Sequence, residues 1–129
     1  EGVGDSADLA LADSEINAIN NLRSHVDRLI VVILSGRPVI ITDVYPVADA
    51  WVAAWLPGSE GAAVADVLFG DVPFTGRLSY SWPRSAAQLP INVNNAAGLT
   101  GCDAPLFPFG YGLGEAGGQP IEWIDCPEP

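Results

Sequence analysis

Apolar positions recur along the chain with two different periods, and the alternation between them predicts the elements. Ile16, Ile19, Leu22 and Val26 follow one another at helical spacing behind Asp13 and Ser14, both good N-caps, with Arg23, His25 and Arg28 towards the negative end of the dipole. This stretch predicts an amphipathic helix. Leu29-Ile30-Val31-Val32-Ile33-Leu34 is apolar on both faces, the pattern of a strand in a parallel sheet covered by helices on either side. Ser35-Gly36-Arg37-Pro38 predicts a turn, and Val39-Ile40-Ile41-Thr42 a short strand folded back antiparallel to the first. Ala48 to Leu56 is apolar with Trp51 and Trp55 four apart, which fits either a helical first part or a buried strand over Val52 to Leu56.

Pro57-Gly58-Ser59-Glu60 supplies a turn and an N-cap for a short helix with Val64, Val67 and Leu68 on its apolar stripe, and Gly70 stands where a left-handed C-terminal cap belongs. Leu78, Tyr80 and Trp82 alternate with Arg77, Ser79 and Ser81, predicting a strand with one buried face that Pro83 closes. Beyond Pro83 loops predominate, and residues 96–129 form a Gly/Pro-rich tail expected to wrap over a scaffold. The expected class is α/β: a partial sandwich with a mainly parallel sheet flanked by helices, plus a long irregular C-terminal tail. Three or four strands are too few to make a well-covered parallel sheet, so part of the fold is expected to lie elsewhere.

Composition narrows the function. In 129 residues, 49% are apolar and 16% charged, enough apolar content for a core and too little charge for a disordered chain. Sixteen acidic residues against five basic ones give a net charge of −11, which repels phosphate backbones and anionic lipid, so nucleic acid and membrane are not expected partners. Without lysine there is neither a Schiff base nor a P-loop. The longest apolar run is far shorter than the ~20 residues of a membrane-spanning helix, and Glu1-Gly2-Val3-Gly4-Asp5 lacks the basic and apolar regions of a signal peptide.

Candidate chemistry is sparse. Cys102 and Cys126 lack the C-x-x-C spacing of metal or redox sites. A structural disulfide is the favoured reading over two buried thiols; closing a ring of about 25 residues contributes about 3–4 kcal/mol and implies an oxidising compartment. His25, the single histidine, reads as a helix-end cation, and no G-x-S-x-G elbow exists for it to serve, since Ser59 lies in Pro57-Gly58-Ser59-Glu60-Gly61. One histidine and two distant cysteines make no metal shell, and no metal is expected. Phe109-Gly110-Tyr111-Gly112-Leu113-Gly114 has the outline of a dinucleotide fingerprint but no strand before it or helix after it, so it reads as an aromatic-rich turn. Trp51, Trp55 and Trp82 lie in apolar segments where core packing is the default over sugar stacking.

A set of longer strings is more specific. Ile33-Leu34-Ser35-Gly36-Arg37-Pro38 is followed by Ala53-Ala54-Trp55-Leu56-Pro57-Gly58-Ser59-Glu60-Gly61, by Ala65-Asp66-Val67-Leu68-Phe69-Gly70-Asp71 and by Phe74-Thr75-Gly76-Arg77-Leu78. Gln88-Leu89-Pro90 and Pro105-Leu106-Phe107-Pro108-Phe109-Gly110-Tyr111-Gly112-Leu113 come last. In order and approximate spacing, these resemble glycoside hydrolase family 3 over about residues 1 to 113, above all its exo-acting β-glucan glucohydrolases and β-glucosidases.

The resemblance implies several things. In that family a (β/α)8 barrel holds a nucleophilic aspartate and a following α/β sandwich domain lends the acid/base glutamate. Residues 1–95 correspond to the later part of the sandwich and 96–129 to its tail. Glu1, ahead of Gly2, Asp5, Leu9 and Leu11, occupies the position of the acid/base glutamate. A retaining glycosidase sets two carboxyl groups about 5–5.5 Å apart, one attacking the anomeric carbon and one protonating the leaving oxygen. Only the second is expected here, and an α-ammonium beside that carboxyl would favour its ionisation, so a peptide bond upstream of Glu1 is expected. The implied partners are a β-glucan or β-glucoside substrate and the barrel domain, with no cofactor, in the periplasm or outside the cell. The rival readings are a noncatalytic module that binds glucan or stabilises a neighbouring domain and, more weakly, a flavodoxin-like nucleotide binder, which the missing glycine loop disfavours.

Overall fold

The computed structural model describes residues 8–113 and 118–126. The chain divides into two compact units, Glu1–Leu56 and Pro57–Pro129. The first unit contains helix α1 (Asp13–Arg23) and strands β1 (Ile30–Ile33) and β2 (Ala50–Ala53), and the second contains helices α2 (Gly61–Phe69) and α3 (Val93–Ala96).

Helix α1 is capped by Ala12, one residue earlier than expected. The Ala12 carbonyl accepts from Glu15 N–H at 2.9 Å, and the Ala12 N–H donates to Glu15 Oε2 at 2.9 Å, so reciprocal bonds between Ala12 and Glu15 close the first turn, and no side chain makes the cap bond expected of Asp13 or Ser14. Asp13 instead lies in the first turn, where the dipole favours it. The helix stops at Arg23 because Ser24 Oγ donates to the Asn21 carbonyl at 2.8 Å and His25 Nδ1 lies 2.8 Å from the same oxygen, meeting a terminal acceptor locally. Val26 therefore falls outside the helix, and Ile19 is its one buried residue.

Strands β1 and β2 pair in parallel with Ile30 opposite Ala50 and Ile33 opposite Ala53. Of the two readings open for Ala48 to Leu56 a strand forms, but over Ala50–Ala53, two residues earlier than Val52 and ending before Leu56. Ile33 is buried, whereas Ile30 and Leu34 are exposed, so β1 is not covered on both faces by the described residues. The antiparallel strand expected at Val39–Thr42 does not form. Pro38 cannot donate to a ladder, and the Ile41 carbonyl turns inward to accept from Val44 and Tyr45 N–H at 3.1 and 2.7 Å, coiling the chain into a short 3-10 turn over Tyr45–Val47. Ile40 makes one parallel bridge to Ala10, and its N–H donates to the Leu9 carbonyl at 2.8 Å. Leu29, Ile33, Ile41 and Val44 join Ile19 as the buried apolar residues among those described in this unit.

In the second unit α2 ends as expected at Gly70, with φ of 87°. Asp71 N–H donates to the Asp66 carbonyl at 2.8 Å and Gly70 N–H to Val67 at 3.3 Å, the bond pair of a Schellman motif. The expected strand over Leu78 to Trp82 is reduced to two points of pairing. Trp82 exchanges both backbone bonds with Phe107 at 2.8 and 3.3 Å, while Leu78 N–H donates to Tyr111 and the Leu78 carbonyl accepts from Gly110, each at 2.8 Å. Pro105 and Pro108 lack N–H groups, so no continuous ladder can run opposite this segment. Burial follows the break: Tyr80 is exposed, while the four consecutive residues Ser81 to Arg84 are all buried. Trp82, Pro83, Leu106 and Phe107 make the apolar centre of this unit.

Candidate functional site

Glu1, the acid/base candidate, lies outside the described residues. The described chain starts at Asp8, whose carboxylate accepts from Ala10 N–H at 2.9 Å, and the Leu9–Ile40 bond then leads it into α1. In open α/β sheets ligands gather beyond the carboxyl ends of parallel strands. Beyond β1 that edge carries the Ser35–Pro38 turn, closed by Ser35 Oγ donating to the Arg37 carbonyl at 2.8 Å and accepting from Arg37 N–H at 3.2 Å. Beyond β2 it carries Trp55, half-buried and held at φ of 54°. That left-handed conformation costs a bulky L-residue about 1–2 kcal/mol, a strain that accumulates where a side chain has to be aimed.

At the opposite end of the pair stands Asp49. Its Oδ2 lies 2.7 Å from Arg23 Nη1 and accepts from Leu29 N–H at 2.8 Å, and its Oδ1 lies 3.0 Å from Arg28 Nη1. Its own N–H donates to the Leu29 carbonyl at 2.9 Å. One carboxylate thereby joins the end of α1, the connection after it and the first rung of the sheet. The Leu29 amide, the Arg28 hydrogen bond and the two guanidinium charges hold the Asp49 carboxyl below its usual range, against a smaller opposing effect of burial. Sequence patterning missed this residue. A lone aspartate immediately before a strand gives no periodic signal, and its two arginines stand 26 and 21 positions away.

The second unit is built around a polar clasp and an aromatic row. Gln88 Oε1 accepts from Arg84 N–H at 2.7 Å, and its amide nitrogen donates to the carbonyls of Asp103 and Ala104 at 3.0 and 3.2 Å. Arg84 Nε donates to Ala104 at 3.1 Å, and burial lowers the guanidinium's affinity for its proton. Trp82 meets Phe107 edge-on with ring centres 6.3 Å apart, and Phe107 stacks on Tyr111 at 5.0 Å. The Tyr111 hydroxyl donates to the Gln119 carbonyl at 2.8 Å, and burial raises its pKa above the usual phenol value. Phe109–Leu113 is a turn closed by Tyr111 N–H on Pro108 at 3.1 Å with Gly110 at φ of 79°, a shape unlike a dinucleotide loop; Gly114 is outside the described residues. A shallow apolar hollow of about 350 Å³ is lined by Val93, Leu99, Pro105 and Phe109 among others.

Cys102 and Cys126 are joined by a disulfide, with Cα atoms 5.6 Å apart. Trp51 stacks on Tyr45 with centres 6.3 Å apart and donates from Nε1 to the Tyr45 carbonyl at 3.0 Å, and Trp82 is buried, so both are packing residues. Among the described residues no cluster of three or more histidine, cysteine or carboxylate side chains is placed to hold a metal ion, and no helix is long and apolar enough to cross a membrane.

The family profile described as the glycosyl hydrolase family 3 C-terminal domain matches residues 1–115, and the chain belongs to that family. It is 33% identical over 122 residues to a periplasmic beta-glucosidase of Salmonella typhimurium, covering 81% of this chain and 16% of that protein. With a beta-xylosidase of Formosa agariphila it shares 33% identity over 120 residues, covering 85% of this chain and 17% of the other. The crystal structure of a beta-glucosidase from Listeria innocua in complex with isofagomine superimposes with a TM-score of 0.73 at 25% identity, over 83% of this chain and 18% of that one. The chain thus spans less than a fifth of the length of these relatives. It is a C-terminal domain of the glycoside hydrolase type, with a small parallel sheet and helices in an α/β arrangement.

Proposed function

We propose that this domain works within a longer retaining β-glucosidase or exo-β-glucanase, where Glu1 serves as the general acid/base for a site completed by a (β/α)8 barrel that holds the nucleophile. The observation that carries this reading is the family match over residues 1–115, a span that includes Glu1. Residues 1–95 form the later part of the sandwich and 96–129 its tail. The substrate is a β-glucoside or the non-reducing end of a β-glucan, and a net charge of −11 is compatible with a neutral sugar held by hydrogen bonds and aromatic stacking. No organic cofactor enters the reaction. The disulfide and the periplasmic relative support a periplasmic or secreted location.

The chemistry requires Glu1 to be protonated when the substrate binds, to give that proton to the departing oxygen, and then to deprotonate the water that releases the sugar. Glu1→Gln in the longer enzyme tests this. Turnover of an aryl β-glucoside with a poor leaving group should fall by a factor of about 10²–10⁴, and a good leaving group should recover much of the first step, because protonation of the leaving oxygen then matters less. Unchanged turnover with both substrates would instead assign the chain to a noncatalytic binding or stabilising module.

A further inference from the structure

The apolar hollow of the second unit has a lining held by two sets of hydrogen bonds. Asn92 Oδ1 accepts from the N–H groups of Asn94 and Asn95 at 2.9 and 3.2 Å, and Asn95 Nδ2 donates to the Pro90 carbonyl at 2.8 Å, which fixes α3 where Val93 and Ala96 line the hollow. Pro105, Pro108 and Phe109 line it too, and they follow Ala104, whose carbonyl is held by Arg84 and Gln88. A single polar side chain, that of Ser81, joins this lining. Ser81 is only 5% exposed, its neighbours Trp82, Pro83 and Arg84 are buried with it, and no group among the described residues hydrogen-bonds to its hydroxyl. A buried hydroxyl without a partner is unfavourable, and the hollow is the side from which a partner can reach it.

We propose that this hollow binds a small neutral phenol, its ring against Phe109 and the prolines and its hydroxyl on Ser81. The ligand class follows from size, lining and charge. The hollow measures about 350 Å³, and a cavity of ~150 Å³ already takes one benzene ring, so a single substituted ring has room. Phe109 is 54% exposed, which leaves an aromatic face open to an offset stack. A sugar carries a hydroxyl on most of its ring carbons, and a lining with one polar side chain would leave nearly all of them unanswered. An anion is repelled by a net charge of −11. A ring with one hydroxyl matches an apolar lining with one unanswered serine. The site involves neither Glu1 nor the reaction proposed above, so it stands or falls independently of them.

Fluorine NMR of para-fluorophenol titrated against the full-length protein tests this, with para-fluorotoluene as the matching ring that lacks the hydroxyl. A phenol of pKa about 10 is neutral at neutral pH, so charge does not separate the two ligands. Both signals should broaden saturably. Ser81→Ala removes one oxygen and should lower the ratio of phenol to toluene affinity about fivefold, the worth of one net hydrogen bond. Ala97 lines the hollow at an exposed position, so Ala97→Phe fills it without crowding the core and should weaken both ligands about tenfold through lost apolar contact. Absence of saturable binding by either ligand overturns the site, as does binding that Ala97→Phe leaves unchanged. An affinity ratio that Ser81→Ala does not move overturns the assignment of the hydroxyl. Displacement of para-fluorophenol by an equal concentration of methyl β-glucoside, lost again in Ala97→Phe, overturns the ligand class in favour of a sugar.

Discussion

Replacing both cysteines, Cys102→Ser with Cys126→Ser, opens a ring spanned by a sequence separation of 24. The chain-entropy relation for such a ring gives about 12 cal/mol/K of lost freedom in the unfolded state, or about 3.5 kcal/mol at 25 °C. Small domains have only about 5–15 kcal/mol of total stability, so the loss takes a large share of what the second unit has. Among the described residues 118–126, which lead to Cys126, none lies in a helix or strand, so the crosslink has little regular structure there to share its task. The Tyr111–Gln119 bond and the Gly118 N–H on the Gly112 carbonyl at 2.7 Å are among the local contacts that remain once it is cut. The assay is urea unfolding followed by tryptophan fluorescence, with Trp82 and Trp123 reporting the second unit. With a slope of about 1 kcal/mol/M for a unit this small, the midpoint should move down by about 3.5 M. A shift corresponding to less than about 1 kcal/mol would show that the unfolded ring is not appreciably constrained, and the entropic reasoning would fail.

Two further perturbations separate other parts of the argument. The folded carboxyl of Asp49 is held below its ordinary value, so its contribution is fully present above the unfolded pKa of about 3.9 and is lost as pH falls through the folded value beneath that. The melting-temperature gap between the native chain and Asp49→Asn should therefore be constant from about pH 7 to 5 and close below about pH 4; a gap that persists unchanged at about pH 3 contradicts the ion-pair account. At Gly70, with φ of 87°, an added methyl group would meet only open space, so Gly70→Ala should cost about 1 kcal/mol through backbone conformation alone. Gly61→Ala at the other end of α2, also in open space, should stay within about 0.5 kcal/mol of neutral or stabilise, and equal losses at the two sites in chemical denaturation would remove the left-handed cap as the cause.

The chain's local chemistry determined a good deal on its own. Helical spacing marked α1 and α2, the glycine after Phe69 marked where α2 stops, the unbroken apolar run marked β1, and the two cysteines marked their own pairing. The family strings, spread from Ser35-Gly36-Arg37-Pro38 to Phe109-Gly110-Tyr111, carried the class of protein. Each of these signals is written within a few neighbouring residues or in a fixed order of strings, and so survives without knowledge of the fold.

Tertiary structure decided what depends on partners far along the chain. Ala50–Ala53 became a strand because β1 offers it a parallel ladder, a choice that periodicity left open. Val39–Thr42 lost its strand because the Ile41 carbonyl found Val44 and Tyr45, and Leu78–Trp82 lost its ladder because the facing segment contains prolines. Asp49 acquired its role from two arginines and an amide brought to it by folding. Backbone hydrogen bonds and charges must find a partner wherever the fold supplies one, so the identity of that partner is a property of the assembled molecule.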